Sequence, residues 1–167
     1  MLYGYRDIAG EWRRHTRISN SVYFNHPEKI AIGDDVYVGH YCILDGTGGL
    51  KIGDGCQIAG WSGIYTHSSH ISIRAGEAGR RSAPEHMKPG FIIKPVKLGR
   101  SVFVGAGAMI FPGVIVGDRA LIHAGAIVTR DVGEFEIVAG VPAKVIGDTR
   151  DLAKSRLGDV GGQAAAI

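Results

Sequence analysis

Cysteine is almost missing from this chain. Cys42 and Cys56 are its only two, at a spacing that suits neither a metal site nor a redox pair, so both read as small buried hydrophobes. Proline is scarce at 6 residues, and glycine does not recur at every third position, which excludes a collagen-like chain. No apolar run approaches the ~20 residues a helix needs to cross a bilayer, so a membrane span is not expected. A dominant charge is absent too: 19 Lys and Arg against 16 Asp and Glu leave +3, too little and too dispersed to argue for nucleic acid. Met1 to Asp7 shows no apolar stretch behind a basic patch, so no secretory signal is read and a cytoplasmic location is expected. With 167 residues there is room for one domain, placed at 1–147, and a C-terminal extension over 148–167, expected to be partly disordered.

Glycine is abundant, 26 residues, and its placement follows a beat. Leu98, Val104, Ile110, Val116, Ile122 and Val128 fall six apart, each preceded two positions earlier by Val96, Val102, Ala108, Val114, Ala120 or Ala126. Ile32, Val38 and Leu44, then Ile52, Ile58 and Ile64, repeat the pattern, with Gly48-Gly49 as a two-residue insertion. Apolar residues two apart are the mark of a strand, whose side chains alternate faces. Gly33-Asp34-Asp35 and Gly53-Asp54-Gly55 supply corner chemistry after each pair. Three short strands and three corners make one coil, and stacked coils make a parallel β-helix. Ile32, Ile52, Leu98 and Val116 are expected to share a first face, Val38, Ile58, Val104 and Ile122 a second, and Leu44, Ile64, Ile110 and Val128 a third. Ile18, Val22 and Phe24 begin a further coil above them, and short helical segments are expected around Ala9 to His15 and Asp151 to Leu157.

One insertion, at about 65–95, interrupts the beat, which resumes in step at Val96. It carries His67, His70, Arg74, Glu77, Arg80, Arg81, Glu85, His86 and Lys88, and a loop held on a rigid scaffold is a usual place for function.

From Ile18 to Gly147 the chain resembles the hexapeptide-repeat acyltransferases. The features that carry the likeness are the repeated Ile-Gly-Asp, the ending Val128-Thr129-Arg130-Asp131-Val132 through Ala139-Gly140-Val141-Pro142-Ala143-Lys144-Val145-Ile146-Gly147, and the histidine segment Ile64-Tyr65-Thr66-His67-Ser68-Ser69-His70. The resemblance implies an all-β fold, a left-handed parallel β-helix, with a homotrimer, active sites between subunits, and acetyl-coenzyme A as donor with no metal required. It points to a sugar or a surface-polysaccharide precursor as acceptor, through a hydroxyl; N-acetylation of an amino-sugar nucleotide is the alternative.

Acetyl transfer to a hydroxyl needs a base at the acceptor proton, and histidine suits that role near neutral pH. The family's catalytic slot falls here on Ser69, between His67 and His70; His67 is favoured because it lies nearest the rigid coil. Leu44 stacks over Ile64, so Asp45 is expected within reach of His67 to orient it, or else to cap its own turn. Trp61 and Tyr65 offer an apolar face to a sugar ring, and Glu77 and Glu85 are weaker candidates for gripping hydroxyls. Gly105, Ala106, Ala124 and Gly125 would let the cofactor arm approach, with Arg130 and Lys144 at its phosphates. Two rivals remain: a zinc protein resembling the gamma carbonic anhydrases through His67, His70 and His86, although the ligand spacing of that family is missing, and a non-catalytic scaffold.

Overall fold

A computed structural model describes residues 1–6, 8, 10–72 and 90–152. Glu77, Glu85, His86 and the other loop residues 73–89 named above lie outside the described residues, as do 153–167.

The chain opens with an antiparallel hairpin, β1 (Leu2–Arg6) against β2 (Trp12–Ile18), and then winds as a parallel solenoid of about five turns. The first coil is β2, β3 (Tyr23–Asn25) and β4 (Ile30–Ile32); the second is β5 (Tyr37–Val38), β6 (Ile43–Asp45) and β7 (Leu50–Ile52). In the third, β8 (Gln57–Ile58) and β9 (Gly63–Ile64) precede the insertion, whose base is an antiparallel pair, β10 (His67–Ser68) with β11 (Ile92–Ile93); β12 (Val96–Leu98) completes it. The fourth is β13 (Phe103–Val104), β14 (Met109–Ile110) and β15 (Ile115–Val116). The fifth is β16 (Leu121–Ile122) and β17 (Ile127–Val128), followed by Val132, which bridges to Val116. Below it, β18 (Glu136–Ala139) pairs parallel with β16, and β19 (Lys144–Asp148) folds back antiparallel on β18.

The three faces are those the six-residue beat assigns. The first stacks β4, β7, β12 and β15, the second β2, β5, β8, β13, β16 and β18, and the third β3, β6, β9, β14 and β17. Inward aliphatics form continuous ladders: Val38, Ile58, Val104 and Ile122 are fully buried, and the Val36 and Cys42 side chains fill the prism between them. Both cysteines are buried, and burial pushes the Cys56 thiol up to about 11, in keeping with a hydrophobe and not a nucleophile. The insertion leaves the register untouched, since Val96 pairs with Leu50 and Leu98 with Ile52. Three corners join the faces: corner 1 leads from first to second, corner 2 from second to third, corner 3 from third back to first.

Stacking brings successive corners to within strand spacing, about 4.8 Å, and leaves no room for side chains on their inner turn. A Cβ on Gly53 would lie 2.5 Å from the Gly99 carbonyl oxygen, and one on Gly39 would lie 2.6 Å from the Gly60 nitrogen. That close approach explains the glycine content better than turn geometry alone.

The ends depart from expectation. The helical segment expected around Ala9 to His15 is instead a strand from Trp12 onward, because Thr16 and Ile18 alternate inward and Ile18 takes its place above Val38. At the other end residues 149–152 are helical, and the rest of the Asp151 to Leu157 segment lies outside the described residues. Among the described residues no helix is long and apolar enough to cross a membrane.

This packing sets graded expectations for chemical denaturation. Ile58→Ala, which empties part of a ladder, should cost about 2–5 kcal/mol, and Gly53→Ala, which drives a methyl into the next coil, about 1–3 kcal/mol. Lys97→Ala on the outer side of the first face should stay within about 0.5 kcal/mol. Equal losses from Gly53→Ala and Lys97→Ala would contradict the close-approach argument.

Candidate active site

Among the described residues, corner 3 carries a dense polar network around Asp45. Asn25 and Asp45 end neighbouring strands β3 and β6 and stand in register, so their side chains meet. Asp45 is buried, its side chain 2% exposed, and each oxygen is occupied. Oδ1 accepts from Asn25 Nδ2 at 2.9 Å, from the Thr47 amide at 3.0 Å and from the Thr47 hydroxyl at 2.6 Å. Oδ2 accepts from the Thr66 amide at 2.8 Å and lies 3.0 Å from the Thr66 hydroxyl and 2.7 Å from His67 Nδ1. Burial pushes the Asp45 carboxyl up, but the bonds from Thr47, Thr66 and His67 outweigh it and hold the group well below the usual carboxylate range. An ionised carboxylate only accepts, so His67 Nδ1 donates to it, and in the neutral ring that leaves Nε2 with its lone pair. Nε2 makes no hydrogen bond among the described residues, and the ring is 31% exposed.

His67 is also held from the other side. The Lys94 amide donates to the Thr66 carbonyl at 3.0 Å, and His67 pairs with Ile93 across the base of the insertion. His70 sits further along the insertion, its Nδ1 2.8 Å from the Ser68 hydroxyl. His67 thus lies in β10 against the coil, and His70 lies three residues further along the insertion.

The structure brings Asp45 and His67 together but separates Trp61 from Tyr65. Tyr65 lies at corner 3 beside His67, its ring 6.1 Å from that of Phe111. Trp61 lies at corner 2, where it stacks on Tyr41 with ring centroids 4.6 Å apart. Within one chain the two rings therefore stand at different corners, because strand β9 between them carries the chain from one corner to the next.

Gly105 and Ala106 stack directly on Ala124 and Gly125 along corner 2. The Gly125 amide donates to the Ala106 carbonyl at 2.9 Å, and a Cβ on Gly105 would fall 2.4 Å from the Ala124 nitrogen. Nothing lies within 4 Å of a Cβ built on Gly107 or Gly125, so the edge is bare on its lower coils. Arg130 and Lys144 line one cavity of about 310 Å³ at the C-terminal end, together with Asp131, Val132 and Ala143. His67 is not among its lining residues.

Sequence reasoning missed Asn25, Thr47 and Thr66. Asn25 was open to detection, since it follows Phe24 as Asp45 follows Leu44; the two threonines matter through hydroxyl orientation, which no periodicity encodes.

Comparison with known proteins places this architecture. A family model described as the hexapeptide repeat of succinyl-transferase matches residues 29–60 and 95–130. A Saccharomyces cerevisiae protein named as an acetyltransferase is 34% identical over 142 residues, covering 84% of this chain and 67% of its own length. The galactoside O-acetyltransferase of Escherichia coli K12 is 31% identical over 133 residues, covering 78% of this chain, which spans 59% of that enzyme. Among solved structures, a hexapeptide-repeat acetyltransferase from Vibrio cholerae superposes with a TM-score of 0.68 at 25% identity, over 80% of this chain and 70% of its own. The same Vibrio protein has also been solved in complex with acetyl-coenzyme A. With the repeat, the corner chemistry and a relative matched over two thirds of its length in agreement, this chain belongs to the hexapeptide-repeat acyltransferases.

Proposed function

We propose that this acyltransferase moves the acetyl group of acetyl-coenzyme A onto a hydroxyl of a sugar or surface-glycan precursor by direct transfer, with His67 as general base. The observation that carries the reading is the 2.7 Å bond from His67 Nδ1 to a buried, ionised Asp45. It fixes the tautomer in which Nε2 can take a proton, and it stabilises the imidazolium that results. As the acceptor oxygen attacks the thioester carbonyl, Nε2 removes its proton and the carbonyl oxygen becomes an oxyanion. Collapse of that intermediate breaks the carbon–sulfur bond, and the coenzyme A thiolate leaves with the proton from His67. Asp45 is a positioning residue in this scheme. Asn25, Thr47 and Thr66 occupy its remaining lone pairs, so that it cannot rotate away.

The bare edge at Gly105, Ala106, Ala124 and Gly125 suits a pantetheine arm lying along stacked coils, and Arg130 with Lys144 suits the phosphates. Edge and base stand at different corners of one chain, on opposite sides of the third face. The outward row of that face, Tyr23, Ile43, Gly63, Met109 and Ile127, carries no charged side chain. A homotrimer in which one copy's corner 3 packs against a neighbour's corner 2 would cover this row and bring thioester and imidazole together. A cytoplasmic location, where acetyl-coenzyme A is made, fits the same reading. An alkali-labile product would identify an ester, and an alkali-stable one the amide of the N-acetylation alternative.

His67→Ala should lower kcat by about a hundredfold or more, whereas His70→Ala should stay within about threefold. The reverse order in thioester-consumption assays would move the base to His70.

Asp45→Asn should lower kcat too, because an amide nitrogen facing Nδ1 favours the opposite tautomer. Since folding depresses the pKa of Asp45, its stabilising contribution is full above the unfolded value near 4 and is lost as pH falls through the lower folded value. Wild-type urea midpoints should therefore drop more steeply than those of Asp45→Asn on acidification below about pH 4.

Sites shared between copies predict complementation. His67→Ala and Ala124→Trp, each inactive alone, should recover part of the activity when co-expressed; a site contained in one chain would recover none.

A further inference from the structure

Corner 2 changes character along its length. On coils four and five its left-handed position is Gly107 and Gly125; on coils two and three the same position is Tyr41 and Trp61, with φ of 58° and 65°. Bulky residues rarely occupy this region, and although His26, Arg119 and Phe135 do so elsewhere in the chain, Tyr41 and Trp61 are two aromatic rings that do so at equivalent points of successive coils. The two rings stack yet remain outside the core, Tyr41 56% and Trp61 69% exposed. The backbone thus displays a flat aromatic step at a conformational cost that glycine would have avoided.

The surroundings indicate what fits the step. His40 Nδ1 lies 2.8 Å from the Ser19 hydroxyl and 3.3 Å from that of Ser21, and Nε2 makes no hydrogen bond among the described residues. The residues forming corner 2, at 19–21, 39–41, 59–61, 105–107 and 123–125, include no Asp, Glu, Lys or Arg. An aromatic face rimmed by hydroxyl and imidazole groups, with no charge, suits an uncharged ring having an apolar face and hydroxyl edges. Corner 2 itself offers a phosphate-linked group no Lys or Arg, whereas among the described residues Arg130 and Lys144 line one cavity at the C-terminal end.

Height along the solenoid supplies the last link. Tyr41 and Trp61 belong to coils two and three, the coils that also carry Asp45 and His67, while the bare glycines lie below on coils four and five. We infer that Tyr41 and Trp61 form the stacking platform for the acceptor, a neutral saccharide in place of a nucleotide-linked sugar, and that the platform of one copy presents it to His67 of the next. This rests on the preceding reading that sites are shared between copies.

The test uses the full chain with Trp12→Phe, which leaves Trp61 as its only tryptophan, and a panel pairing neutral glycosides (galactosides, glucosides, maltose) with nucleotide-linked sugars. Neutral members should quench Trp61 fluorescence and be the better acceptors. Tyr41→Asn and Trp61→Asn, which suit the left-handed backbone and so protect folding, should raise KM for the glycoside by roughly tenfold, with kcat falling less. The inference is overturned if no neutral glycoside perturbs Trp61, if nucleotide-linked sugars are preferred, if KM stays within twofold in both variants, or if their main effect is dissociation into monomers. Saccharide quenching that persists in His67→Ala separates platform from base: loss of quenching sinks the platform alone, and full turnover in His67→Ala sinks the base assignment alone.

Discussion

Everything in this molecule depends on one distance, the spacing between hydrogen-bonded parallel strands. Because each coil must sit one strand spacing from the next, side chains at equivalent points of successive coils are forced into contact, and the chain acquires functional neighbours some twenty positions apart. Asn25, Asp45 and Thr66 are such a set, one from each of three coils. The same constraint strips Cβ atoms from the inner turns of the corners and leaves the narrow bare edge beside Gly105 and Ala124.

A buried carboxylate in this setting is informative about chemistry. Burial opposes ionisation, and the carboxylate survives because its oxygens collect donors from Asn25, Thr47, Thr66 and His67. A residue needed only to cap the turn at Gly46 would not require an imidazole among those donors. The network therefore spans both readings of Asp45: it closes the turn through the Thr47 amide and orients a ring with its other oxygen.

The six-residue beat made the fold legible, because inward aliphatics recur wherever a strand does, and all three faces follow from it. The Asp45–His67 contact was legible for the same reason, through Leu44 over Ile64. What escaped depends on features the beat does not carry. Arg13 and Arg14 leave no apolar alternation ahead of Thr16 and Ile18, so the first part of the strand Trp12–Ile18 reads as belonging to a helix around Ala9 to His15 until its pairing with β1 is seen. Trp61 and Tyr65 are close in sequence, yet a corner-to-corner strand sets them on different edges. The donors around Asp45 depend on hydroxyl directions, which no periodicity encodes.

The insertion enters after Ile64 and hands the chain back at Val96, which resumes pairing with Leu50 as if nothing had intervened. The register of the coils is thus set independently of the insertion, which is tied to them through Thr66 and the β10–β11 pair at its base. Descendants of such a gene can lengthen, shorten or rewrite residues 73–89 without shifting the register in which Val96 meets Leu50, so the insertion is free to diversify while the prism keeps its rungs.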